Sequence, residues 1–249
     1  MKYLENVDLE KLSYFISNAV IGNTVLKGRI EAFSCKRAGE DKKLSKSLDQ
    51  KLSEEYCGDA NISSSASTGI GDMTQNSTRK LLIDLVQTMN ASFIDHDFSS
   101  ISPEAFCHQN VADMIRQINS YLNELTTIRP SFINDLWSTL NAQMNIHDCE
   151  AYCYVPDFND DPLSDGAIWS FNCFFFNKEL KRICYFTCVA TPRGRRRQLY
   201  GDDGGENDED DDDAGMDVHE SEFFDQDQDQ DQDQECSFGF DSDLCPPSP

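Results

Sequence analysis

The sequence predicts an α/β fold of the α+β kind: one globular domain whose antiparallel β-sheet is flanked by helices on both faces. Three observations carry this. The elements read helix, strand, gap, three helices and then at least three strands, with no strand–helix–strand alternation of the sort that builds a parallel nucleotide-binding sheet. The segments "AIWSFNCFFF" and "ICYFTCV" flank the polar "NKELKR", which makes a β-hairpin. That hairpin is apolar on both strand faces rather than alternating, so both faces of its sheet must be covered.

The elements follow in order. "VDLEKLSYFISNAV" places Leu9, Leu12, Phe15, Ile16 and Ala19 on one helical face. After Gly22 and Asn23, "TVLKGRIEAFSCK" spreads Val25, Arg29, Ile30 and Phe33 as a strand does, with Gly28 in the place of a bulge. Residues 37–76 are rich in Lys, Ser, Asp and Gly and read as a disordered insertion. Ser77 then caps a helix with the stripe Leu81, Leu82, Leu85, Val86 and Met89. "SPEAF" has the form of a second helix start, with Ser102 as cap, Pro103 in the first turn and Glu104 beside it. Val111, Ile115, Ile118 and Leu122 continue that helix, and a third begins near Pro130 with Ile133, Leu136, Trp137 and Leu140. "CEAYCYV" is a strand that stops at Pro156, and an acidic loop leads into the aromatic hairpin. The domain is thus expected to comprise residues 1–36 and 77–190, followed by a basic linker (191–200) and a disordered acidic tail (201–249).

Charge narrows the function. The net formal charge is −24, but residues 201–249 hold 20 acids and no Lys or Arg, so residues 1–200 carry only about −4. A tail of that sign opposes binding to DNA or to anionic membrane. No apolar run approaches the ~20 residues of a membrane span, and the start "MKYLENVDLEK" lacks the basic-then-apolar order of a signal peptide. The chain is therefore expected to be soluble and intracellular, with its ten cysteines reduced and mostly packed as small apolar residues.

Motif chemistry points away from catalysis. Cys149/Cys153 and Cys184/Cys188 recur at a four-residue interval, but in strands that offset spans about 13 Å. Two thiolates on one zinc must each lie about 2.3 Å from it. Asp157, Asn159 and Asp161 begin like a calcium loop, which Pro162 and Ile168 then break. The chain has no Gly-x-Ser-x-Gly elbow, phosphate-binding loop, His-Glu-x-x-His or nucleotide-binding glycine fingerprint. We expect no enzyme activity, no cofactor and no metal. Arg193, Arg195, Arg196 and Arg197 form an exposed basic cluster suited to recognition by a nuclear import receptor. Ser45 and Ser47 follow lysines in "KKLSKS", and Ser63, Ser64, Ser65 and Ser67 cluster downstream, so all six are candidate phosphorylation sites.

The chain resembles the Maf-type repressors of RNA polymerase III transcription, a eukaryotic family distinct from the leucine-zipper Maf factors. Three blocks carry the resemblance: "MKYLENVDLEKL" through "GRIEAFSCK", "AYCYVPDFNDDP…DGAIWSFNCFFFNKELKR", and "ICYFTC". Cys173 and Phe176 stand where other members often have Tyr. The resemblance implies an antiparallel sheet with helices, no catalysis, and binding to the RNA polymerase III core. That binding would stop engagement with the Brf–TBP initiation factor and so silence tRNA and 5S rRNA genes. It also implies kinases and phosphatases that act on the insertion according to nutrients and stress, and shuttling between nucleus and cytoplasm. The partner-surface candidates on the matching blocks are Arg29, Lys36, Trp169, Asn172, Asn177, Lys178, Lys181 and Arg182. No membrane contact and no direct DNA binding are expected. The alternative is a regulator that binds nucleic acid directly through the basic hairpin turn and the arginine cluster.

Overall fold

The structure, a computed structural model, describes residues 1–37, 39–57, 66–155 and 166–193. The acidic tail, Arg195–Arg197, the loop that holds Asp157–Asp161, and Ser63–Ser65 lie outside these residues.

A seven-stranded sheet organises the described residues. Its strands are β1 (Lys2–Tyr3), β2 (Ala19–Ile21), β3 (Thr24–Ser34), β6 (Phe106–Gln109), β7 (Glu150–Tyr154), β8 (Trp169–Asn177) and β9 (Arg182–Pro192). The order is β1-β3-β9-β8-β7-β6, every pairing is antiparallel, and β2 shares with β1 the outer edge of β3. A two-stranded ribbon, β4 (Ser67–Thr68) with β5 (Gly71–Asp72), stands apart.

Helices cover both faces. On the first lie α1 (Val7–Ile16), α4 (Val111–Leu122) and α5 (Phe132–Met144). Leu9, Leu12, Ile16, Ile118, Leu136 and Leu140 from these helices meet Leu26, Ile30, Phe171, Phe175, Phe186 and Ala190 from the strands. Each fully buried aliphatic or aromatic side chain of this set contributes roughly 1.5–3 kcal/mol. On the second face α3 (Asn76–Ser92) packs Leu82, Leu85, Val86 and Met89 against Phe174, Ile183 and Tyr185. The hairpin is aromatic throughout because β8 sends Phe171, Cys173 and Phe175 to the first core and Phe174 to the second.

The insertion differs from its predicted disorder. Residues 39–57 form α2 (Gly39–Cys57), which lies on the outer side of α3. Leu48, Leu52 and Tyr56, spaced by four, give it a narrow apolar stripe. Arg37 pairs with Asp84, Gln87 Nε2 donates to the Asp41 carbonyl at 2.8 Å, and Arg79 Nε lies 3.1 Å from Asp49 Oδ1. The ribbon belongs to the same body: Gly69 accepts from the His108 amide at 2.9 Å on the free edge of β6. A Cβ on Gly69 would come within 2.5 Å of the Phe106 carbonyl oxygen.

Other local expectations also change. Ala19 leaves the first helix for β2, joined to β3 through the two residues Gly22 (φ +55°) and Asn23. Gly28 is no bulge; it pairs in register with Cys188, and its missing side chain admits Ile16, whose Cδ1 would lie 2.7 Å from an added Cβ. The N-cap of α3 is Gln75, not Ser77. The segment after Ser102 is a single 3-10 turn that leads into β6, and Asn110 then caps α4 by accepting from the Ala112 amide. No helix among the described residues is long and apolar enough to cross a membrane.

Candidate interaction surface

Two polar regions lie at opposite ends of the central strands, nine residues of β9 apart, which is on the order of 30 Å.

The first is the β8–β9 turn. Asn177 pairs with Arg182, leaving residues 178–181 as the loop. Asn177 is 1% exposed. Its Nδ2 donates to the Met144 carbonyl at 2.8 Å, and its Oδ1 accepts from the Leu180 amide at 2.9 Å. Arg182 Nη1 donates to the Gln143 carbonyl at 3.0 Å, and Lys181, with φ +53°, accepts from the Cys35 amide at 2.9 Å through its carbonyl. Lys178 Nζ lies 2.7 Å from Glu150 Oε1, whose other oxygen accepts from the Tyr152 hydroxyl. Burial pushes the Glu150 pKa up, but the hydrogen bonds from Lys178 and Tyr152 and the Lys178 charge outweigh it and hold the carboxyl low. Lys36 and Lys181 are exposed. Most of the polar groups here therefore close the turn onto α5 and β7.

The second region is a groove of about 640 Å³. α3 ends at Ser92, so the second face of the sheet emerges from beneath it. There Lys27 and Arg29 of β3 line the groove beside Thr187, Val189 and Thr191 of β9, together with Tyr14 of α1, its C-cap Ser17, Phe93 and His96. α1 is held in place by Ser13, whose Oγ accepts from the Ile30 amide at 2.8 Å and donates to the Ile30 carbonyl at 2.9 Å. That hydroxyl satisfies β3 in the interval that neither β1 nor β2 pairs. The Arg29 guanidinium sits 4.6 Å above the Phe93 ring, and Nη1 is 3.8 Å from Glu31 Oε1. Tyr14, which lines the groove, is 84% exposed. Arg193, the only residue of the predicted arginine cluster among those described, donates its amide to the Asn23 carbonyl at 2.7 Å at this same end.

Asn172 connects the aromatic core to the groove. It is buried, and its Oδ1 accepts from the Tyr185 hydroxyl at 2.7 Å and the Thr187 hydroxyl at 2.8 Å. Thr187 is thereby fixed on the groove floor. Trp169 packs on the first face, its ring 4.7 Å from Tyr121 and parallel to Phe171.

The predicted site residues thus separate. Arg29 belongs to the groove; Lys36, Lys178 and Lys181 belong to the turn; Asn172, Asn177, Trp169 and Arg182 make internal contacts. Ser45 is 7% exposed on the inner side of α2, so a kinase cannot reach it while α2 is docked; Ser47 and Ser67 are exposed. Lys27, His96, Phe93 and Tyr14 were not anticipated. Lys27 alone had a signal, its alternation with Arg29 on a strand whose other face is apolar; Tyr14, Phe93 and His96 had none. Among the described residues no group of His, Cys, Asp and Glu is arranged to hold a metal ion.

Comparison with known proteins places this architecture. The Maf1 regulator model matches residues 26–187. A protein of Schizosaccharomyces pombe named repressor of RNA polymerase III transcription is 32% identical over 90% of this chain and 97% of its own. One of the same name from Dictyostelium discoideum is 29% identical over 90% of this chain and 96% of its own. The crystal structure of citrus MAF1 superposes with a TM-score of 0.60 at 29% identity, covering 75% of this chain and 99% of that one. The chain belongs to the Maf1 regulator family.

Proposed function

We propose that this protein is a negative regulator of RNA polymerase III transcription that acts by binding, without catalysis. It docks on the polymerase core and blocks recruitment by the Brf–TBP initiation factor. The groove is its docking surface. Family membership supports the target, since relatives that match nearly the whole chain are named repressors of that transcription. The observation that carries the choice of surface is the placement of Lys27 and Arg29 beside the exposed Tyr14 ring and the Phe93 ring around one concavity. Interfaces concentrate aromatic and arginine side chains at their centre and polar groups at their rim.

Kinases and phosphatases set the strength of this binding through the insertion. Ser47 on the docked helix and Ser67 beyond it are exposed, whereas Ser45 requires α2 to lift away; Ser63–Ser65 are candidates on sequence alone. Import receptors that read Arg193–Arg197 move the protein between cytoplasm and nucleus. The reading of direct nucleic-acid binding through the hairpin turn is weaker, because Lys178 is paired with Glu150, Arg182 donates to the Gln143 carbonyl and the whole chain carries −24.

Dephosphorylated full-length protein, immobilised and exposed to purified polymerase III, should retain the enzyme and lower promoter-dependent tRNA synthesis in a reconstituted system. A mobility shift of tRNA-gene DNA by the protein alone, with no polymerase retained, would replace this reading with the nucleic-acid one.

A further inference from the structure

Three cysteines line up across the far side of the sheet. Cys107 of β6 pairs with Cys153 of β7, and Cys153 pairs with Cys173 of β8, all three facing the core beneath α4 and α5. All are free thiols. Cys107 is half-buried on the outermost strand, while Cys153 and Cys173 are buried.

Backbone hydrogen bonding separates the two pairs. The Val155 amide donates to the Ala105 carbonyl at 2.7 Å, whereas the His108 amide turns away from β7 to reach Gly69. Residues 105 and 155 therefore form a hydrogen-bonded pair, and so, two positions on, do Cys107 and Cys153. Such pairs hold their Cα atoms about 5.5 Å apart, whereas the opposite kind, which Cys153 and Cys173 form, holds them at about 4.5 Å. Disulfides favour about 5.5–6 Å and reach their lower limit near 4.4 Å. Both separations lie within the Cα range of disulfides, and the side chains of the second pair lie closer. Exposure therefore distinguishes the partners: Cys107 is half-buried on the outermost strand, whereas Cys173 is buried. Sulfur chemistry marks Cys153 as the nucleophile of the pair. Hydrogen bonds from Cys173 and then Cys107 outweigh burial and lower the Cys153 thiol, while burial and the adjacent Cys153 charge raise Cys107.

We propose that Cys107 and Cys153 are a peroxide-oxidisable dithiol that closes to a disulfide between β6 and β7. The Cys153 thiolate attacks one oxygen of hydrogen peroxide and breaks the O–O bond, giving a sulfenic acid and a hydroxide that leaves as water. The Cys107 thiolate, its proton passed to solvent, then attacks the Cys153 sulfur, forms the S–S bond and expels a second water. Two thiols lose two electrons and two protons, and one peroxide becomes two waters. The bond fixes β6, the strand whose outer edge carries Gly69 of the ribbon.

The test uses reduced full-length protein treated with hydrogen peroxide, quenched with an alkylating agent in denaturant, digested and weighed. The expected product is a 107–153 bridged peptide lighter by two hydrogens, lost on treatment with dithiothreitol. In Cys107→Ser, Cys153 should no longer enter a reductant-sensitive bridge, and Cys149→Ser should leave the 107–153 bridge at its wild-type yield. The proposal is overturned by full alkylation of Cys107 and Cys153, by a bridge from either one to any other cysteine, or by conversion of Cys153 to sulfinic acid without a bridge.

Discussion

The two ends of the β8–β9 hairpin use similar residue types for opposite purposes. At the turn, Asn177 and Arg182 are consumed by carbonyls of α5, and Lys178 is held by Glu150. At the groove, Lys27 and Arg29 border open space, with the exposed Tyr14 ring beside them. The turn contains the run by which the family is recognised, yet most of that run builds the domain. Legible motif and accessible surface are different things here: a buried asparagine must meet its partners, and that requirement fixes sequence as firmly as binding does.

This contrast can be broken by substitution. Asn177→Ala should have the largest effect, about 3 kcal/mol of lost stability in denaturant unfolding, because the Met144 carbonyl and the Leu180 amide both lose a buried partner. A loss within about 0.5 kcal/mol would move Asn177 to the list of surface residues. Leu52→Ala should cost about 2 kcal/mol if α2 is an integral layer over α3. An unchanged unfolding midpoint would return residues 39–57 to the status of a dispensable insertion. Arg29→Ala should cost under about 1 kcal/mol of stability, since its pair with Glu31 is loose and its stacking on Phe93 is partly exposed, while its effect on polymerase binding is large. The smallest effect is a pH shift at the turn. The folded Glu150 pKa is depressed, so the stability it contributes is present above the unfolded value of about 4.3 and is lost as pH falls through the folded value. Lys178→Ala should raise the Glu150 pKa seen by NMR titration; an unchanged value would show that Tyr152 alone holds it.

Much of this architecture could be read from sequence, and the failures have definite causes. The β8–β9 hairpin was legible because two aromatic runs surround a polar turn, and its lack of alternation announced helices on both faces. Helix α2 was hidden because Leu48, Leu52 and Tyr56 form a stripe one residue wide among Lys, Ser and Glu, so composition outweighed periodicity. Strand β6 was hidden behind Ser102, Pro103 and Glu104, which have the form of a helix start but produce only a single turn. The groove could not be read as a unit. Lys27, His96 and Thr191 are far apart in sequence and meet only because β3 pairs with β9 and α3 stops at Ser92.

The most direct test of the account is the affinity of purified RNA polymerase III for two charge-reversed proteins of equal charge change. One carries Lys27→Glu with Arg29→Glu, the other Lys178→Glu with Lys181→Glu, and both are measured against the parent at physiological salt. Loss of a central, desolvated cation typically costs 2 kcal/mol or more, which is about thirty-fold in Kd. The account predicts a loss of at least that size for the groove variant and a change within about three-fold for the turn variant, as for exposed rim charges. A turn variant that loses binding while the groove variant keeps it would contradict the assignment of the docking surface.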